Sequence, residues 1–279
     1  MRKKVICFGA GGGGSRLYDE VAKKYEIIGF TDNDNSKIGS YIHATKVLNL
    51  EEALNLPWDR IVITSAPGLD SIKKQLLSMN IDEMQIDENY VIAPLESRRI
   101  FLEKLADMQK DIELTAAVAE AGVFEGDFAK WINIYYSNRH LYLFDTFEGF
   151  CEKDINKERK YSKANLGDYS NTSLELVMGK MSYKQNVRIY KGYFPDTARD
   201  IKESFCFVNL DLDLYLPTYS GLCFFEDKMV KNGVILIHDY FSENFRGPKE
   251  AVDQFITERN GKYSVYPIGD GISVMIVGF

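Results

Sequence analysis

Two glycine-rich turns constrain this chain more than any other feature. Each follows a short apolar run, opens a stretch of helical spacing and leads to a second apolar run that ends in an acid. The first passes from Lys4–Phe8 through Gly9-Ala-Gly11-Gly-Gly-Gly14 to Glu26–Thr31 and Asp32. The second passes from Leu114–Ala121 through Gly122-Val-Phe-Glu-Gly126 to Leu141–Phe144 and Asp145. Such units build parallel sheets with crossover helices. The 279 residues are enough for about two ordinary domains. The expected fold is therefore α/β with two Rossmann-like domains, residues 1–93 and 94–279. The second opens with a charged amphipathic connecting helix over Leu95–Leu114.

Further runs fill in the plan. Ser15–Tyr25 and Asp70–Met79 have helical spacing, and Arg60–Thr64 reads as a strand. Phe128–Tyr136 reads as a helix, while Val187–Tyr190, Phe205–Leu210 and Val234–Ile237 read as strands. Tyr263–Pro267 and Ile272–Val277 form a candidate antiparallel hairpin closing the sheet. Residues 146–172 are polar and read as a mobile loop or lid, with Lys153, Lys157, Arg159, Lys160 and Lys163 suited to an anionic acceptor or simply solvated.

Composition removes several function classes. Lys plus Arg total 34 against 41 Asp plus Glu, a net charge of −7, and the longest basic run is Arg2-Lys3-Lys4, so no nucleic-acid partner is expected. No apolar run approaches the roughly 20 residues of a bilayer span, so no membrane partner is expected either. Val5–Phe8 is too short for a signal-peptide core. Cys7, Cys151, Cys206 and Cys223 lack metal or redox spacing, which fits reduced thiols and a cytoplasmic location.

The first glycine turn contains GxGxxG as Gly9, Gly11 and Gly14, followed by Asp32 at a strand end. That is the context of a dinucleotide fingerprint, in which glycines admit a pyrophosphate to a helix N-terminus and the acid takes ribose hydroxyls. The same glycines also serve close packing, and both readings stay open. An NAD-dependent sugar-nucleotide-modifying enzyme lacks its Tyr-x-x-x-Lys pair here.

The second half carries more chemistry. Phe207-Val-Asn-Leu-Asp211-Leu-Asp213-Leu-Tyr215 and Val234-Ile-Leu-Ile-His238-Asp239-Tyr240 are apolar strands that end in acids. Open α/β sheets bind ligands beyond the carboxyl ends of their strands, so the two clusters can converge. Asp211 and Asp213 point to one side if the strand continues. Clustered carboxylates are costly without a cation, and a divalent metal with oxygen ligands is the natural partner. Solvated strand-end acids that cap helices are the plainer alternative. Asp145 suits hydrogen bonding to a ribose diol.

The segments EAGVFEGD (120–127), LFDTFEGF (143–150), YKGYFPDT (190–197), LDLDLYLPT (210–218) and IHDY (237–240) together resemble the macrocin O-methyltransferase family over roughly residues 95–279. The resemblance implies a class I methyltransferase sheet and an S-adenosylmethionine-dependent O-methyltransferase acting on a sugar or glycosylated metabolite. It implies a divalent metal (Mg or Mn), a small-molecule or saccharide acceptor and a homodimer. Carried over, Glu120, Gly122 and Gly126 would line the methionine and ribose part of the cofactor. Asp145 would hold the ribose hydroxyls beside Thr146 and Phe147, and Gly192, Tyr193 and Phe194 would flank the adenine. Asp211, His238 and Asp239 take the metal-ligand positions and Asp213 the general-base position. His238 stands where the family usually has an aspartate. That tilts preference toward manganese, iron or zinc, and leaves open a metal-free site with His238 as base. Residues 3–66 resemble small nucleotide-binding-type domains that precede sugar-modifying transferases. A nucleotide-sensing binding protein is the non-enzymatic alternative, and the acid clusters argue against it.

Overall fold

The computed structural model describes residues 2–111, 116–150, 155, 158, 160–162 and 164–279. The chain forms two compact units, Met1–Glu96 and Ser97–Phe279. The expected boundary after residue 93 falls inside a helix, three residues short of this division (96 − 93).

In the first unit, β1 (Lys4–Phe8), β2 (Glu26–Thr31), β4 (Thr45–Leu48), β5 (Arg60–Ile63) and β6 (Ile86–Asp87) are parallel, and the short β3 (Tyr41–Ile42) runs antiparallel to β4 at one edge. The sheet order is β3-β4-β2-β1-β5-β6. The helices are α1 (Gly12–Lys24), α2 (Leu50–Leu54) and α3 (Leu69–Ser78). The first helix begins at Gly12 rather than Ser15, so the glycine run forms its opening turn. A Cβ on Gly13 would lie 2.2 Å from the Thr64 carbonyl oxygen, and one on Gly14 2.3 Å from that of Gly9. The helix thus packs closer to the strands than any side chain allows.

Helix α4 (Asn89–Met108) includes Pro94 and so starts before the expected connecting helix, which opens at Leu95. Lying near the helix start, the proline costs one backbone hydrogen bond, and buried Val91 anchors the turn before it. The helix ends short of Leu114, which lies outside the described residues.

The second unit contains β7 (Ala117–Ala121), α5 (Asp127–Tyr135), β8 (Leu141–Asp145), α6 (Leu174–Lys180), β9 (Val187–Lys191), β10 (Phe205–Leu210), α7 (Tyr215–Glu226), β11 (Met229–Ile237), α8 (Gly247–Glu258), β12 (Ser264–Pro267) and β13 (Val274–Val277). Its sheet order is β12-β13-β11-β10-β7-β8-β9. Strands β7 to β11 are parallel, and β13 runs antiparallel to both β11 and β12. The expected C-terminal hairpin is present, folded back so that its second strand lies inside and its first at the edge. The sheet is buried on both faces, under one cluster around Phe144, Phe194, Phe205 and Phe225 and another around Val118, Leu143, Phe207 and Leu236.

The chain fills one side of the sheet with β8 and β9, then crosses to β10 and β11. The order therefore switches between β7 and β10, where open sheets form their ligand crevice. Gly122 sits at that point with φ +83°, and a Cβ there would lie 1.8 Å from the Asp211 carbonyl oxygen. Backbone, not a flexible side chain, would have to give way. Gly122→Ala is expected to cost at least about 2 kcal/mol in denaturant unfolding. Gly179→Ala serves as control: that Cβ meets nothing within 4 Å, and the change should be neutral or stabilising by up to about 1 kcal/mol.

Candidate active site

Register lines up four strand ends. Ala121 pairs with Phe144 and with Leu210, and Leu210 pairs with Ile237. Asp145, Gly122, Asp211 and His238 each come one residue beyond that row. Backbone bonds carry the ladder into it: Gly122 N–H donates to the Phe144 carbonyl at 2.9 Å, Asp211 to Ala121 at 2.9 Å, and His238 to Leu210 at 3.0 Å.

Across the β10–β11 edge, His238 Nδ1 lies 3.0 Å from Asp211 Oδ1 and 2.9 Å from Asp239 Oδ2. The other oxygen of Asp211 accepts from Arg98 Nη2 at 3.1 Å, and the same nitrogen donates to Asn209 Oδ1 at 3.0 Å. The Arg98 guanidinium stacks 4.0 Å over the Phe128 ring. Asn209 Nδ2 donates to Glu120 Oε1 at 2.7 Å, across the register pair joining β10 to β7. One polar chain thus runs from Glu120 through Asn209, Arg98, Asp211 and His238 to Asp239. Asp239 is hydrogen-bonded to Asp213 in turn.

Asp213 reaches this cluster by a route the sequence does not predict. Strand β10 ends at Leu210, so alternation along a continuing strand does not apply. Asp213 has φ +59°, and Leu214 N–H donates to the Leu212 carbonyl at 2.7 Å across it. A three-residue turn, not strand geometry, aims the carboxylate.

The electrostatics follow from these contacts. Burial disfavours charge on His238, but Asp211 and Asp239 outweigh it and raise its pKa to about 10, so the ring holds its proton at neutral pH. Burial works against the Asp211 carboxylate, but His238 and Arg98 outweigh it and hold that group well below the usual range. Asp239 is lowered in the same way, by His238 against burial. Asp213 is pushed well up by burial and then by Asp239 and Asp211. Burial, and then Asp211, pushes Glu120 up to about 8. Its Oε2 is buried and has no hydrogen-bond partner among the described residues.

The other expected residues lie at neighbouring strand ends. Asp145 braces the glycine loop: Oδ2 accepts from Val123 and Phe124 N–H at 2.7 and 2.9 Å, and Oδ1 from Phe147 N–H at 2.7 Å. Thr146 bonds the Gly149 carbonyl. Gly192 N–H donates to the Asp145 carbonyl at 2.9 Å, which sets Gly192 and Tyr193 beyond β9. The rings of Phe147 and Phe194 are core side chains, the latter 5.0 Å from Phe144, so they form the floor beneath these loops. Of the polar loop, residues 151–154, 156–157, 159 and 163 are outside the described set, including Lys153, Lys157, Arg159 and Lys163. Lys160 is exposed, 5.3 Å from the Tyr161 ring.

Sequence reasoning missed Arg98, Asn209 and Tyr169. Asn209 is readable in hindsight as a lone amide in an apolar strand, and a cluster of acids demands a cation such as Arg98. Tyr169 has no such signal. Its ring packs edge-on to Phe124 and Phe150 at 5.2 and 5.3 Å, and its phenol is pushed up by burial and by Asp213, Asp239 and Asp211.

In the first unit, the glycine turn is occupied with its own structure. Asp32 Oδ2 accepts from Ala10 N–H at 2.7 Å and pairs with Lys37 at 3.1 Å, while Oδ1 accepts from Asp34 N–H at 2.9 Å. Gly9 and Gly14 are required by close approaches to Ser65 and Gly9, whereas Gly11 is not, since its Cβ would meet only Lys37 Nζ at 3.7 Å.

No described helix is long and apolar enough to cross a membrane. Residues 1–87 match the family model C2185-like, N-terminal, and residues 96–274 match that of Macrocin-O-methyltransferase (TylF). Among curated proteins none matches this sequence. Among solved structures, the O-methyltransferase NovP aligns with TM-score 0.52 and 19% identity, covering 64% of this chain and 78% of its own. CalS11, the calicheamicin methyltransferase, aligns with TM-score 0.54 and 16% identity, covering 75% of this chain and 85% of its own. These likenesses agree with a class I methyltransferase fold in the second unit. The family match covers the strand-end row, the glycine loop and the acid cluster, and the chain belongs to the macrocin-O-methyltransferase (TylF) family of S-adenosylmethionine-dependent O-methyltransferases.

Proposed function

We propose that the C-terminal unit methylates a hydroxyl group of a sugar or glycosylated metabolite, with a divalent cation at the acid cluster. The observation that carries this reading is the contact of the glycine loop with that cluster: Gly122 lies directly against the Asp211 carbonyl. A donor bound at the loop and an acceptor bound at the cluster would then be neighbours, and such placement supplies much of the rate in a two-substrate transfer. The family's name and that of CalS11 support the acceptor class.

The residues fit S-adenosylmethionine. The unpartnered oxygen of Glu120 would accept from the α-ammonium group, whose positive charge favours the ionised carboxylate. Gly122 and Gly126 keep the loop free of side chains, Asp145 and Thr146 would take the ribose hydroxyls, and Gly192 and Tyr193 would flank the adenine. When bound, the sulfonium supplies an electrophilic methyl carbon.

The donor set also fits a cation, because one ligand atom each from Asp211, His238 and Asp239 lie within 4.8 Å of one another. These three would hold it, with His238 giving up its ring proton to become a ligand, and it would favour ionisation of a bound hydroxyl. One imidazole between two carboxylates favours manganese, iron or zinc over magnesium. A bound cation would offset the repulsion from Asp239 and Asp211 that, after burial, raises the Asp213 pKa, leaving an ionised carboxylate to take the acceptor's proton. Tyr169 walls the same side.

Methyl transfer from S-adenosylmethionine to a panel of glycosides and sugar nucleotides, followed by mass spectrometry, tests the reading. Asp213→Asn should lower turnover at least about 100-fold while calorimetry gives S-adenosylhomocysteine affinity within about twofold of wild type. Lost cofactor binding, or retained turnover, would refute the base assignment. Stabilisation by NAD and not by S-adenosylhomocysteine would sink the whole reading.

Glu120 adds a pH prediction. Its pKa is raised on folding to about 8, so the folded state binds the extra proton and stability falls as pH rises from about 5 to 8. The slope is at most about 1.4 kcal/mol per pH unit. Unfolding titrations of Glu120→Gln should show that slope removed, and S-adenosylhomocysteine should bind the variant more weakly.

A further inference from the structure

The geometry points to Glu158 as a positioning residue for Asp213, an inference that rests on Asp213 being the base. Asp213 sits in a turn of positive φ, with a hydrogen bond closing it between Leu212 and Leu214. A non-glycine residue in such a turn carries a modest strain, which neighbouring contacts help to hold. Two residues later α7 begins, and its cap residue Leu214 offers no side-chain acceptor to the free N–H groups of the first turn. Glu158 supplies both. Its Oε2 accepts from Tyr215 N–H and its Oε1 from Leu216 N–H, each at 2.9 Å, although 57 residues separate Glu158 from Tyr215. The side chain is 1% exposed, and the helix dipole favours its carboxylate at the helix end.

Glu158 is itself held. The N–H groups of Tyr161 and Ser162 donate to its carbonyl at 2.7 and 3.0 Å. Arg246 N–H donates to the Tyr161 carbonyl at 2.8 Å, Ser162 bridges to Phe245, and the Tyr161 ring lies 5.4 Å from that of Tyr215. The same helix end is pressed from a second direction. A Cβ on Gly247, the first residue of α8, would lie 2.3 Å from Tyr215 N and 2.9 Å from the Leu214 carbonyl carbon. The segment that follows Asp213 is thus clamped between Glu158 and the start of α8. Releasing one jaw lets the turn relax and moves the carboxylate away from the acceptor oxygen.

The test compares wild type, Glu158→Ala, Glu158→Gln and Asp213→Asn, using an acceptor methylated by wild type in the panel above. Glu158→Ala should lower kcat at least about tenfold, with S-adenosylhomocysteine affinity unchanged within about twofold. Glu158→Gln keeps one acceptor oxygen and should recover part of that loss. It also carries the test if the alanine variant fails to fold. Hydrogen exchange gives a readout that needs no acceptor: the Leu214 amide, slow in wild type, should exchange faster in Glu158→Ala. A lower melting temperature with wild-type kcat per folded site, or unchanged Leu214 exchange, would overturn the proposal and leave Glu158 a helix cap. Cofactor affinity falling in step with kcat would also overturn it. Retained turnover in Asp213→Asn would instead remove the base assignment, whatever Glu158 does.

Discussion

Arg98 and His238 are what allow three aspartates to share the ends of two adjacent strands. Like charges a few ångströms apart repel, and removal from water adds to the cost. Here each Asp211 oxygen has a cationic partner, at 3.0 Å from His238 and 3.1 Å from Arg98. Asp239 shares His238, and Asp213 is driven toward its protonated form. Counting Asp211 and Asp239 as negative and Arg98 and His238 as positive, the cluster is close to neutral. A polar site can therefore sit directly on an apolar sheet.

The rest of the second unit serves that arrangement. Fully buried β10 and the buried second half of β11, from Gly233 to Ile237, fix the register that sets Asp211 beside His238. Gly122 lets the loop after β7 press against Asp211, which joins the cofactor side to the acid side. Asn209 links Glu120 to Arg98, so Glu120 at the cofactor loop and the charges at the cluster belong to one hydrogen-bonded chain. A change of charge at either end is felt at the other, because such interactions strengthen inside a protein.

Much of this was legible in the sequence, for identifiable reasons. Apolar runs that end in acids announce parallel strands and their carboxyl ends, and β1, β2 and β10 occupy the expected residues. The convergence of Asp211 with His238 and Asp239 followed from that alone. The route of Asp213 did not, because a left-handed turn leaves no mark in periodicity and aspartate tolerates it silently. Helix α7 escaped notice because Pro217, Thr218, Gly221, Leu222 and Phe225 are all buried and give no apolar stripe to read. Arg98 and Glu158 act across 113 and 57 residues of chain, distances over which a single sequence carries no pairing information. Helix α4 runs through Pro94 at the loss of one backbone hydrogen bond, so the connecting helix starts at Asn89, six residues before Leu95.

The central claim is that Arg98 and Asp211 stabilise one another as members of a compensated cluster. A double-mutant cycle measures this directly, with urea unfolding at neutral pH of wild type, Arg98→Met, Asp211→Asn and the double variant. The account predicts that Arg98→Met alone is strongly destabilising, because it leaves Asp211 with half its compensation. It predicts that the double variant recovers part of the loss, with a coupling of roughly 1–3 kcal/mol. Additive effects, with coupling below about 0.5 kcal/mol, would contradict it.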